Sequence, residues 1–179
     1  MGVIYDYFAA DSDEQATSVI DRIDGPGASA ASPPGEASRH GLFRRRGERG
    51  VPQESTPDPV LDTVPGHGID PVVQMGTLEE LLTGRSYSDE IARDPRSGHT
   101  VAVRDGGDRH VLTLTQSLAT ALARASDERL AEIALPWSQT EEFWGDADPE
   151  VLTDFLHSMA ALARRADANQ QLLFCWVCV

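Results

Sequence analysis

Residues 172–179, LLFCWVCV, constrain the fold more than any other stretch of this chain. They carry no charge, and their only polar side-chain groups are two thiols and an indole N–H. A strand built from them can expose neither face to water, so it reads as a central strand covered on both sides. The segment before it supplies one cover. Asp148 is a natural N-cap, Pro149 fits the first helical position, and Glu150 places a negative charge against the helix dipole. Val151, Leu152, Phe155, Leu156, Met159, Leu162 and Ala163 then recur at helical spacing, with Arg164 and Arg165 in the last turn. A buried strand beneath an amphipathic helix needs further strands and helices around it, and the chain provides both.

Residues 2–8, GVIYDYF, mix β-branched and aromatic side chains and predict a first strand. Ser12 and Gln15 form a capping box for a helix that places Ala16, Val19, Ile20 and Ile23 on one face, stopped by Gly25, Pro26 and Gly27. Residues 69–76 read as a strand or an extended lead-in. Thr77 and Glu80 predict a short helix closed by Gly84, and Ser88 or Asp89 one further turn through Ile91. Residues 99–115 alternate around Asp105-Gly106-Gly107-Asp108 as a β-hairpin. Thr115 predicts a helix with Leu118, Ala121 and Leu122 inward. Ser126 or Asp127 predicts another, with Leu130, Ile133 and Ala134 inward, ended by Pro136. The expectation is a single α+β domain with a mixed sheet and four to six helices.

Residues 25–68 differ in character. Gly and Pro are frequent there, large apolar residues are sparse, and such a segment buries too little surface to offset the entropy of ordering. It reads as a flexible insert within the domain. Its five Arg (Arg39, Arg44, Arg45, Arg46, Arg49) balance five acids (Glu36, Glu48, Glu54, Asp58, Asp62), so the rest of the chain carries the whole net charge of -14. The Arg-rich island at 39–49, with Leu42 and Phe43 beside it, reads as a solvated linker or a short recognition motif.

That charge repels phosphate backbones and anionic lipid, which argues against nucleic-acid and membrane binding and suits a basic protein partner. All 15 basic residues are Arg. The absence of Lys reads as the codon bias of a high-GC, actinobacterial genome. The start, MGVIYDYF, lacks the layout of a signal peptide, and no apolar run reaches the length of a membrane span. A cytoplasmic protein with two free thiols is the expectation.

The order of pieces resembles the YfbM-like family of small bacterial proteins of unknown function. The residues that carry the resemblance are Leu81-Leu82-Thr83-Gly84, the Leu114-Thr115 step into paired helices, Phe143-Trp144, and the long helix leading into the hydrophobic last strand. It covers roughly residues 1–24 and 70–179. The family's usual Trp ahead of the Leu-Leu-Thr-Gly helix is missing here, and the Pro-rich insert is foreign to its simpler members. The resemblance implies an α+β fold and no catalytic residue.

Cys175 and Cys178 have CxxC spacing, but on a strand they point to opposite faces, and no second Cys or Cys/His pair completes a zinc site. They read as structural thiols. His99 and His110 flank the hairpin and can approach across strands, but two ligands on a ribbon make a weak metal site. Glu141, Glu142, Asp146, Asp148, Glu150 and Asp154 crowd one segment beside Trp137 and Trp144. Several of these acids have capping duties, including Glu141 back toward Ser138. The pairing of aromatic and acidic residues on a loop nonetheless suits recognition of a basic partner. The expected binding residues are therefore Trp137, Glu141, Glu142, Phe143, Trp144 and Asp146. No cofactor, metal ligand or catalytic residue is assigned. The functional expectation is a non-enzymatic binding or regulatory protein, for example in toxin immunity. The alternative is a small hydrolase or metal-dependent enzyme using the acids at 141–148.

Overall fold

The computed structural model describes residues 2–22, 24–27, 60–145 and 147–179. Its centre is the apolar strand. Five strands, β1 (Ile4–Ala10), β2 (Thr63–Pro65), β3 (Thr100–Arg104), β4 (Arg109–Thr113) and β5 (Leu172–Cys178), form one sheet in the order β2-β1-β5-β4-β3. Ile4 pairs with Cys178 on one side of β5, and Arg109 pairs with the same residue on the other. Both faces of β5 are covered, as its composition requires. Leu173, Cys175 and Val177 join one buried cluster, while Phe174 and Trp176 join another on the opposite face.

The α+β class holds, but all four strand pairings are antiparallel rather than mixed. The continuous apolar run is equally at home between antiparallel neighbours once both faces are covered.

Four helices build the thicker layer: α2 (Val73–Thr83), α3 (Gln116–Arg124), α4 (Asp127–Ser138) and α5 (Pro149–Ala168). Helix α5 lies along β1 and β5 and turns Leu152, Phe155, Leu156, Met159, Leu162 and Ala163 into the core. Each large apolar side chain buried this way contributes about 1.5–3 kcal/mol. The thinner cover on the other face is α1 (Asp13–Ser18) with the 3-10 turn Val19–Asp21, which bury Ala16, Val19 and Ile20 over Phe8 and Trp176. Arg96 closes this side, its guanidinium 5.3 Å from the Phe174 ring centroid and 3.0 Å from Asp13.

The expected caps on Ser12, Thr115, Ser126 and Asp148 all form, with their side chains accepting from Gln15, Leu118, Arg129 and Glu150 N–H respectively. Gly84 ends α2 in the left-handed conformation, and the hairpin at 100–113 is present. The turn expected from Ser88 or Asp89 leads into the 3-10 helix Ile91–Arg93.

Three expectations are corrected. Helix α2 starts at Val73, not Thr77, because Asp70 Oδ1 accepts from Val72 and Val73 N–H at 2.8 Å while Gln74 accepts from Asp70 N–H. Helix α4 continues through Pro136 to Ser138. So close to the helix end, proline removes a single hydrogen bond, and burial of Trp137 holds the final turn. Finally, Thr63–Pro65, inside the stretch expected as an insert, form a strand of the sheet. Asp62 O accepts from Ala9 N–H, β2 pairs with β1, and Gly66 N–H donates to Tyr5 O at 2.6 Å. A Cβ on Gly66 would lie 2.7 Å from that same oxygen, so only glycine permits the approach. The strand escaped notice because three residues are too few for a period. Ile23, residues 28–59 and with them the Arg-rich island at 39–49 lie outside the described residues.

Candidate binding face around Trp144

The two tryptophans of the acidic segment have opposite fates. Trp137 is fully buried, and its Nε1 donates to Gln74 O at 3.0 Å. The Phe143 ring meets it edge-on at 5.1 Å, and Phe155 stacks at 6.2 Å. Trp137 is therefore core, which removes it from the expected binding set. Trp144, seven residues later, is 91% exposed.

A hydrogen-bonded turn holds Trp144 outward. The chain after α4 makes a 3-10 turn, Glu141–Phe143, and Trp144 closes it by donating N–H to Glu141 O at 3.0 Å. Trp144 adopts φ 53°, a left-handed conformation uncommon for a bulky residue. Half-buried Phe143 pins the turn to Trp137. Gln74 Nε2 donates to Glu142 O at 3.3 Å, and Thr77 Oγ1 donates to Glu142 Oε1 at 3.1 Å. Burial disfavours the Glu142 carboxylate, but hydrogen bonds from its own N–H, Thr140 and Thr77 outweigh it and hold the carboxyl below its ordinary range.

Glu141 is exposed and makes no cap to Ser138, whose hydroxyl donates to Leu135 O. Asp148 spends one oxygen on the Glu150 N–H. Asp146 lies outside the described residues. Of the expected binding residues, Glu141 and Trp144 face solvent, Phe143 and Glu142 support the turn, and Trp137 supports both.

Arg side chains pair with some acids elsewhere, Arg96 with Asp13, Arg104 with Asp21, Arg109 with Asp105, Arg164 with Asp127 and Arg165 with Asp62, while others such as Asp11, Asp70 and Asp167 join no ion pair among the described residues. Among the described residues, Glu141, Glu142, Asp148, Glu150 and Asp154 take part in no ion pair. Beside the turn runs a groove between the start of α5 and the 64–69 connection. One lobe encloses about 310 Å³ over Ile69, Phe143, Leu152 and Phe155. A second, of about 260 Å³, continues past Val151, Phe155 and His67 to Asp154 and Ser158.

The remaining candidates do not converge. Val103 is the register partner of His110, whereas His99 O accepts from Thr113 N–H, so the two histidines sit at different levels of the hairpin. Cys175 and Cys178 are free and face opposite clusters. Among the described residues, no three His, Cys, Asp or Glu side chains gather as a metal site, and no helix is long and apolar enough to cross a membrane.

Sequence reasoning missed Glu79. This buried carboxylate on α2 accepts from Thr115 Oγ1 and Ser117 Oγ at the start of α3 and from Arg85 at 3.3 Å. The two hydroxyls join α2 to the start of α3 and Arg85 supplies the countercharge, which is a structural duty. No family model, curated protein or solved structure matches the chain.

Proposed function

We propose that this is a non-enzymatic binding or regulatory protein that engages a basic protein partner through the turn at 141–148, with toxin immunity as one concrete form. The observation that carries the reading is Trp144, 91% exposed and held outward by a hydrogen-bonded turn, beside Glu141, Glu142 and Asp148, which join no ion pair among the described residues. An aromatic side chain of this size in water is an anchor in waiting, since Trp and Tyr dominate interface hot spots. The surrounding negative potential speeds encounter with a positive surface and rejects anionic ones. The net charge of -14 supports the same choice, against nucleic acid and anionic membranes and in favour of a cytoplasmic protein partner. The YfbM-like resemblance adds no residue to this reading.

No observation favours the alternative, a hydrolase or metal-dependent enzyme built on the acids at 141–148. Such chemistry needs carboxylates that converge on one point, whereas Glu142 turns to Thr77 and Asp148 to the helix start.

The test is affinity capture with the full chain, followed by binding measurements on the purified partner. Trp144→Ala and Glu141→Gln should each weaken binding about tenfold, and raising the salt should weaken it further. A partner whose affinity is indifferent to both substitutions and to salt would sink the reading.

A further inference from the structure

We propose that the groove beside Trp144 is a receptor for a partner segment carrying two apolar anchors flanked by Arg or Lys, an inference that rests on the basic-partner reading above. The two lobes share His67, Val151 and Phe155 as walls, so they lie side by side along α5 as a two-lobed channel. The floor is apolar, formed by Phe155, Leu152 and Ile69. Val151 stands in both lobes with 58% of its surface uncovered, on a helix whose opposite face is fully packed.

From Val151 to Ser158 the channel follows two turns of α5, roughly 10 Å at 1.5 Å per residue. That distance separates residues one heptad apart on a helix, or about three apart on an extended strand. Each lobe has room for one Leu- or Phe-sized side chain.

Charge selects among occupants. Asp148 lines one lobe and Asp154 the other, and neither is paired among the described residues. Among the described residues, no Arg lines either lobe. An anionic segment, or a second copy of this chain presenting the same rim, brings carboxylates against carboxylates. A segment with basic residues beside its anchors brings complementary charge to both lobes.

The test uses fluorescein-labelled 14-residue peptides and the full-length protein, read by anisotropy. The peptides are Arg/Lys-rich with Leu at positions 4 and 11, the same with both Leu replaced by Ser, and a Glu-rich version keeping both Leu. A fourth peptide, of 13 residues, copies residues 38–50 of this chain. The basic, anchored peptide should bind at least tenfold more tightly than the Ser and Glu versions. Val151→Glu, a surface change whose folding is verified by thermal melt, should abolish that preference.

Equal binding of the Ser version, or indifference to Val151→Glu, overturns the proposal. So does a deletion of residues 39–49 that uncovers binding which the 38–50 peptide then blocks, since the occupant would be the chain itself. Trp144→Ala separates the two readings. If only that substitution matters, the groove is wrong and the loop stands; if only Val151→Glu matters, the loop reading falls and the groove stands.

Discussion

The indole N–H of Trp137 donates to the carbonyl of Gln74 at 3.0 Å, tying the last turn of α4 to the first turn of α2. This bond and the Phe143 and Phe155 rings around it are the foundation on which the exposed turn stands. Replacing Trp137 by Ala should cost about 3–5 kcal/mol in urea unfolding, from the cavity and the stranded carbonyl. Trp144→Ala should stay within about 0.5 kcal/mol of the parent. Acrylamide should quench the Trp144 emission preferentially, and that quenchable component should vanish in Trp144→Ala. A large stability loss on removing Trp144 would contradict the assignment.

Gly76 is required by its neighbour. A Cβ there would lie 2.2 Å from Cε2 of Tyr87, whose ring lies on α2. Gly76→Ala should therefore destabilise the protein despite the better helix propensity of alanine. In a Tyr87→Ala background the same change should stabilise by about 1 kcal/mol, the ordinary Gly-to-Ala difference in a helix. Denaturant midpoints of the four variants measure the sign reversal, and additive effects would refute the contact.

Burial raises the Asp6 carboxyl above its ordinary range, with the His67 charge opposing. The folded state then holds this proton at pH values where the unfolded chain has released it. Asp6 consequently costs stability as pH rises above its unfolded value, and the cost disappears on acidification. Asp6→Asn should be more stable than the parent at neutral pH, the two converging near pH 3. A parent that gains on the variant as pH rises would reverse the sign and the conclusion.

The thiols should separate cleanly. Burial, reinforced by the Asp6 and Asp70 charges, pushes the Cys175 thiol well above its usual range, whereas Cys178 is only half-buried at the strand's end. Iodoacetamide should modify Cys178 first in the native protein and both residues in denaturant, as read by peptide mass spectrometry. Native labelling of Cys175 at a comparable rate would mean that β5 opens locally.

Much of the scaffold was legible because each signal had a local cause. Caps at Ser12, Thr115, Ser126 and Asp148 need only a hydroxyl or carboxylate two or three residues from an unpaired N–H. The doubly covered strand announced itself by lacking charge. What escaped depended on partners distant in sequence. Nothing near Trp137 reveals that Gln74 will satisfy its indole, and without that knowledge Trp137 and Trp144 look alike. Strand β2 is defined by the hydrogen bonds of β1, not by its own three residues. The groove has walls from the 64–69 connection and α5, which no single window contains. The start of α2 was readable: Asp70-Pro71 repeats the arrangement of Asp148-Pro149, but two valines after it resemble a strand.

Among the described residues, strand β5 also joins the two halves of the sheet, β2-β1 on one side and β4-β3 on the other. An isolated two-stranded piece is marginal in water, so until residues 172–178 arrive each half depends on the helices packed against it. A ribosome adding about 5–20 residues per second takes on the order of ten seconds or more to travel from Ile4 to its partner Cys178. Throughout that interval Tyr7 and Phe8 have only the three-residue β2 to meet. The sheet of this chain is therefore completed late, and any pause before residue 172 lengthens the time for which β1 lacks its longer partner.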